Sequence, residues 1–427
     1  MTEKMSRRKL LRKGSEAIVA GGVGACAAAV VGAVPATGAV AAPAAAKGVD
    51  YYDKLGLVPF INAAGTYTIL TASIMPDEVQ AAVALAAKKP VHLLELHEAA
   101  GNYLAQKLRC GGALVTSGAS AGLTLGTAAC ITIGNRDAIV NIPTDLSGLK
   151  NEVIVQKAHR YEYDHAMRNC GVKVVEVETA EQYQNAFSEK TVMTNFFNAE
   201  NAPISREEWI RVAHQHGVPC FNDAAADVPP ISNLWNYTQM GFDLVAFSGG
   251  KGMRGPQCAG LLLGRKDLID AARLNNSPNS NAVGRGLKVA KEDIIGMVAA
   301  VDWFLSQDDA AMEAEFRKRA DRIAEQVKKV PTVETTVFIP PVANHVPHLL
   351  VTYDPARVGT TGREVMQKMR EGKPRIELNP GTGGAPASAG LPGGENTIIV
   401  GVWMLKPGED LIVGRRLREV LQSASHS

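Results

Sequence analysis

Lys251 stands inside "AFSGGKGMRGPQCAGLLLGRKDLI" (Ala246–Ile269), with glycines on both sides and apolar, strand-like segments before and after. A solvated loop lysine needs no such setting. An ammonium held at a strand end and partly withdrawn from water has a lowered pKa and becomes a nucleophile toward aldehydes. A P-loop reading fails at two positions, because its first glycine would fall on Val245 and its hydroxyl residue on Gly252. Two other stretches carry comparable chemistry. "VPCFNDAAADVPP" (Val218–Pro230) ends an apolar run on Asp223. A carboxylate there is costly to bury without a partner; the alternative is a helix N-cap. "TSGASAG" (Thr116–Gly122) is a Gly/Ser turn that enters a helix. Its Ser117, Gly118, Ala119 and Ser120 offer N–H groups and hydroxyls to an anion, where a helix dipole favours one.

Each signal is weak alone, but their order is informative. An anion turn, then a strand-end carboxylate, then a strand-end lysine is the arrangement that holds pyridoxal 5′-phosphate. The phosphate sits on the helix N-terminus, the carboxylate on the ring nitrogen and the lysine on the aldehyde carbon. The chain from about Asp50 onward resembles the fold-type I pyridoxal-phosphate enzymes, in particular the selenocysteine synthase (SelA)-like group that includes D-glucosaminate-6-phosphate ammonia-lyase. "FINAAGTYT", "FNDAAADVPP", "FSGGKGMRGPQCAGLLLGR" and "GRGLKVAKEDIIGMVAAV" carry the resemblance. It implies Lys251 as the Schiff-base lysine, Asp223 as the ring-nitrogen partner, and Ser248 with the Ser117–Ser120 turn as phosphate ligands. In such enzymes a flat side chain after an earlier strand covers the ring. "VQKAHRYEYDHAM" offers His159 first and His165 second, unless both are ordinary surface residues. Arg254, Arg285 and Thr66 are candidates for the substrate's carboxylate or another anion; salt bridging at the core edge is the alternative for the arginines.

The elements that must position these groups can be read coarsely. Strand-like runs recur at Asp137–Asn141, Glu152–Gln156, Lys173–Val177, Thr191–Phe197, Pro219–Asn222, Leu244–Ser248 and Gly260–Leu263, with a further short strand in "GGALVT". Helical patterns cover Pro76–Lys88, His92–Leu108, Ser205–His216 with Ser205 as cap, Lys291–Leu305 and Ala310–Lys329. Alternation of this kind predicts an α/β fold with a mostly parallel sheet covered by helices on both faces, plus a smaller α+β C-terminal domain; the resemblance to fold-type I implies that the sheet is seven-stranded. The expected divisions are a leader over 1–46, an arm over 47–85, a large domain over 86–280 and a small one over 281–427.

The leader carries six of the 45 Lys/Arg and two of the 43 Asp/Glu, so the remainder is nearly neutral. "SRRKLLRKG", a Gly/Ala-rich apolar run and "ATGAVAAPAAA" read as a twin-arginine export signal with cleavage between Ala42 and Gly48; a membrane anchor is the alternative. The expected location is periplasmic or extracellular. Cleavage leaves Cys110, Cys130, Cys170, Cys220 and Cys258, an odd number without a Cys-x-x-Cys, expected mainly as small core residues. The only close histidine pairs, His214/His216 and His345/His348, are read as structural, so no metal is expected. No basic stretch interleaved with aromatics follows the leader, and the catalytic core begins directly after it; a nucleic-acid partner is not expected.

Taken together, the sequence predicts a pyridoxal-phosphate lyase that converts a hydroxy amino acid or amino-sugar acid to a 2-oxo acid and ammonia, working as a homodimer or higher homo-oligomer. Racemisation or epimerisation, transamination, and a non-catalytic cofactor-binding protein are the alternatives.

Overall fold

Fully buried strands carry apolar residues on both faces, and the strands here do so. In β2 (Gly112–Thr116) Leu114 packs to one side of the sheet while Ala113 and Val115 pack to the other. The same alternation holds in β3 (Glu152–Gln156), β7 (Leu244–Ser248) and β8 (Gly260–Gly264). With β4 (Lys173–Val177), β5 (Thr191–Phe197) and β6 (Cys220–Asp223) they form a seven-stranded sheet of order β2-β8-β7-β6-β5-β3-β4. Only β8 runs against its neighbours; the other six are parallel. These relations come from a computed structural model, which describes residues 48–198, 202–384 and 390–424.

Helices cover both faces. One core joins the sheet to α1 (Asp77–Ala87), α2 (Leu93–Lys107), α4 (Arg206–Gln215), α5 (Asn233–Met240) and α7 (Lys291–Leu305). The opposite core joins it to α3 (Ala119–Thr132) and α6 (Lys266–Asn275). Ser205 caps α4 as its sequence predicts, accepting from the Glu208 N–H.

A third core lies under α8 (Asp309–Val327), α9 (Gly362–Glu371) and α10 (Glu409–Ala424). It holds the antiparallel sheet β12-β10-β9, from β9 (Glu334–Phe338), β10 (His348–Thr352) and β12 (Thr397–Gly401). It also takes in β1 (Ile61–Ala63), which pairs in parallel with β11 (Ile376–Leu378). Beyond residue 281, α7 buries Ile294, Met297 and Phe304 against the large sheet, and the third core starts with α8. One expectation needs correction. Asp137–Asn141 is no strand. Its last four residues form the helix Ala138–Asn141, started by the Asn135 side chain on the Ala138 N–H. A short apolar run suits either state, and periodicity cannot decide it.

The leader lies outside the described residues. Asp50 caps the short helix Tyr51–Lys54. Among the described residues no helix is long and apolar enough to cross a membrane. Cys130, Cys170 and Cys220 are buried as core residues, Cys110 is half-buried and Cys258 is exposed; all five are free thiols.

Candidate functional site

The parallel strands β2, β3, β5, β6 and β7 all end on one edge of the sheet, and β8 begins there. Asp223 closes β6, level with Phe197 on β5 and Ala246 on β7. Its carboxyl group is 2% exposed. Oδ1 accepts from the Ala225 N–H at 3.1 Å, and Oδ2 accepts from the Tyr161 hydroxyl. Tyr161 follows β3 and stacks on Phe197, with ring centroids 4.3 Å apart and planes 16° from parallel. Burial pushes the Asp223 pKa up; the Tyr161 and Ala225 donors and the Lys251 charge pull it back.

Lys251 lies on the loop after β7, and burial lowers its pKa against the opposing pull of Asp223 and then Asp227. The glycines around it have a steric cause. A Cβ on Gly252 would stand 2.2 Å from the Val228 carbonyl oxygen. From the arm, the Ser73 hydroxyl donates to the Gly250 carbonyl at 2.7 Å and so ties the lysine loop to residues near the start of the fold.

The anion turn is brought to the same edge. Thr116, Gly260 and Ser248 are level across β2, β8 and β7. A Cβ on Gly260 would lie 2.6 Å from the backbone carbon of Gly118, so only glycine lets the turn cross over β8. Gly118 takes φ +87° as the N-cap of α3, and no side chain caps that helix. The Thr116 hydroxyl donates to the Gly118 carbonyl at 2.8 Å and fixes the bend. Ser117 and Ser248 are half-buried, Ala119 is buried and Ser120 is exposed.

His159 is buried. Its Nδ1 accepts from the Phe197 N–H at 3.4 Å, its ring meets Phe196 edge-on, and its Nε2 has no partner among the described residues. Burial lowers its pKa to about 4, so the ring is neutral at pH 7. His165 is exposed on the helix His165–Arg168. Arg285 is exposed on its loop. Thr66 is buried, next to Gly65, which packs on Trp403. Arg254 donates to the Trp403 carbonyl at 2.7 Å and lies over the Trp303 ring, in a cavity that Lys251 and Asp223 do not line.

Two side chains at this edge carry no spacing signal in the sequence. Tyr161 lies between His159 and His165, and nothing in its spacing distinguishes it. Asp227 lies within the quoted Asp223 motif yet forms a buried centre of its own. Its carboxylate accepts from the Asn198 amide and, at 3.1 Å, from the Tyr237 hydroxyl. Burial, then the Asp223 charge, raises its pKa to about 7.

These residues fit pyridoxal phosphate. Asp223 and Lys251 influence each other's ionisation, yet they form no ion pair among the described residues, which leaves room between carboxylate and ammonium. The uncapped N–H groups of α3 stand on the same edge. The family model described as "SelA: L-seryl-tRNA selenium transferase" matches residues 60–340. The chain belongs to the SelA family. That family is pyridoxal-phosphate-dependent, and this chain is a pyridoxal-phosphate enzyme of fold type I.

Among curated SelA relatives, the D-glucosaminate-6-phosphate ammonia lyase of Salmonella typhimurium is 28% identical over 88% of this chain and 99% of its own length. A 5′-C-glycyluridine monooxygenase-decarboxylase of a Streptomyces species is 29% identical over 77% of this chain and 83% of its own. The L-seryl-tRNA(Sec) selenium transferase of Rhizobium meliloti is 29% identical, but over only 46% of this chain and 48% of its own. A solved structure of D-glucosaminate-6-phosphate ammonia-lyase superposes with a TM-score of 0.74 at 26% identity, covering 88% of this chain and 99% of that one.

Proposed function

We propose that this protein is an ammonia-lyase acting on a hydroxy amino acid or amino-sugar acid. The observation that carries the reading is a desolvated Lys251 facing a buried, doubly hydrogen-bonded Asp223 at one strand edge. The full-length likeness to an ammonia-lyase supports it.

The cofactor, when bound, supplies an electron-accepting ring conjugated to the substrate nitrogen. Asp223 keeps the ring nitrogen protonated by placing a negative charge beside it. Lys251, its pKa lowered by burial, would take the Cα proton. The β-hydroxyl then leaves as water, and water returns at the hydrolysis that frees ammonia, so the net products are a 2-oxo acid and ammonia. The α3 N-terminus and Ser117, with Ser248, would hold the phosphate, and His159 would cover the ring.

Borohydride reduction followed by peptide mapping should recover the cofactor on Lys251, and Lys251→Ala should lack the visible band of lysine-bound cofactor. Recovery on any other lysine would end the reading. A panel of D- and L-hydroxy amino acids and amino-sugar acids, read for ammonia, 2-oxo acid and chirality together, tests the reaction. Oxygen uptake with carbon dioxide release would instead assign chemistry of the kind named for the Streptomyces relative.

The same reading places the enzyme outside the cytoplasm, carried folded by the twin-arginine route, and makes it at least a homodimer with Asn62–Thr68 near the interface. Support for the dimer comes from exposed apolar side chains in this part of the chain, among them Ile69, Ile74, Leu85, Val91 and Leu94.

A further inference from the structure

A cavity of about 280 Å³ opens between Gly252, α7, α8 and Trp403. Lys251, Asp223, His159 and Tyr161 do not line it. Four aromatic side chains, Trp303, Phe304, Phe316 and Trp403, line it together with the carboxylates Asp308 and Glu315. Two arginines share it, and their circumstances differ. Arg319 is neutralised, its Nε donating to Glu315 at 3.0 Å and its Nη1 to the Leu405 carbonyl at 2.6 Å. Arg254 forms no ion pair among the described residues. Its one hydrogen bond goes to a neutral carbonyl, that of Trp403.

A largely desolvated guanidinium without a counter-charge is unfavourable, and a second cation beside it makes matters worse. Burial and then the Arg319 charge both lower the Arg254 pKa. The chain nevertheless holds Arg254 in place with its backbone at φ +52°, a left-handed conformation that side-chain-bearing residues avoid. Trp303 lies under the guanidinium, and of the two carboxylates in the lining Glu315 is held by Arg319 while Asp308 accepts from the Ala311 N–H. The cavity therefore contains a guanidinium with no ion-pair partner among the described residues, beside ring faces.

We infer that this cavity is a second binding site, for a small carboxylate anion with an apolar or aromatic body. The carboxylate is taken by the free guanidinium N–H groups of Arg254, and the body packs on Trp303 and Phe316. A planar guanidinium suits a carboxylate's two oxygens. The site is separate from the lysine chemistry and does not depend on which reaction that lysine performs.

Isothermal titration of the full-length, cofactor-loaded protein with sodium benzoate tests this. Saturable one-site binding is expected, weakened at least about tenfold, roughly 1.4 kcal/mol, in Arg254→Met. Arg254→Lys keeps the charge and should retain part of the affinity, which separates loss of the cation from misfolding. Lys251→Ala should bind benzoate as the unaltered protein does. Absence of saturable heat, equal affinity in Arg254→Met, or loss of binding in Lys251→Ala would each overturn the inference, the last by moving the anion to the lysine site.

Discussion

Asp223 accepts two hydrogen bonds that do different work. The Ala225 N–H fixes its direction along the chain, while the Tyr161 hydroxyl comes from the loop after β3, two strands away, and stabilises the ionised form. Asp223→Asn should still bind cofactor yet lose turnover by about 10²-fold or more, since an amide cannot hold the ring nitrogen positive. Near-normal kcat would return Asp223 to a capping role. Tyr161→Phe removes only a donor to a charged group, worth about 1.5–3 kcal/mol. Cofactor affinity, measured by dialysis and absorbance, should fall by roughly tenfold or more with the fold intact. For Asp227 the expected readout is stability against pH. Its folded pKa of about 7 lies above the ordinary 3.8, so the folded protein binds the extra proton between those values. Its stabilising contribution is complete below the ordinary value and is lost as pH rises through about 7. Asp227→Asn should flatten the fall in Tm over that interval; an unchanged slope would show that another group titrates there. Tyr161 and Asp227 were hard to find in the sequence for one reason. Lys251 and Asp223 advertise themselves by standing at strand ends among small residues, whereas Tyr161 matters only because β3 and β6 lie near each other, a proximity no local pattern encodes.

Strands β3, β5 and β7 were legible to the residue because strands buried on both faces are rich in apolar residues between turn residues, and edge strand β4 because its valines are set off by exposed Lys173 and Glu176. The antiparallel direction of β8 was not legible, since the pattern Gly-Leu-Leu-Leu carries no sign of direction. That direction matters: it starts β8 at the site's edge and puts Gly260 beneath the anion turn. Gly260→Ala would press a methyl group against the Gly118 backbone, at an overpacking cost of about 1–3 kcal/mol. The expected outcome is a lower Tm together with weaker cofactor retention, because the displaced element is the turn itself. A drop in Tm with unaltered retention would show that the phosphate is held elsewhere. The misread segment 137–141 teaches the converse. Four apolar or amide residues with Val140 half exposed contain too little pattern to distinguish one helical turn from one strand.

At the scale of the molecule, exposed apolar side chains gathered between Val49 and Tyr103 call for a cover. Light scattering on the purified protein should give at least twice the 45.3 kDa chain mass, less any cleaved leader. Charged substitutions at Ile69 and Leu85 should reduce it and lower activity together; a fully active monomer would refute the assembly. The pairing of β1 with β11 has another consequence, for biosynthesis. Ile61 emerges early from the ribosome and its partner, Ile376, over 300 residues later. The large sheet can form while translation continues, since its last strand ends at Gly264. Its neighbouring core has to wait. Until Ile376–Leu378 is made, Ile61–Ala63 is an unpaired apolar strand. A nascent chain arrested before residue 376 should therefore remain open to proteolysis near Ile61 while its central sheet already resists.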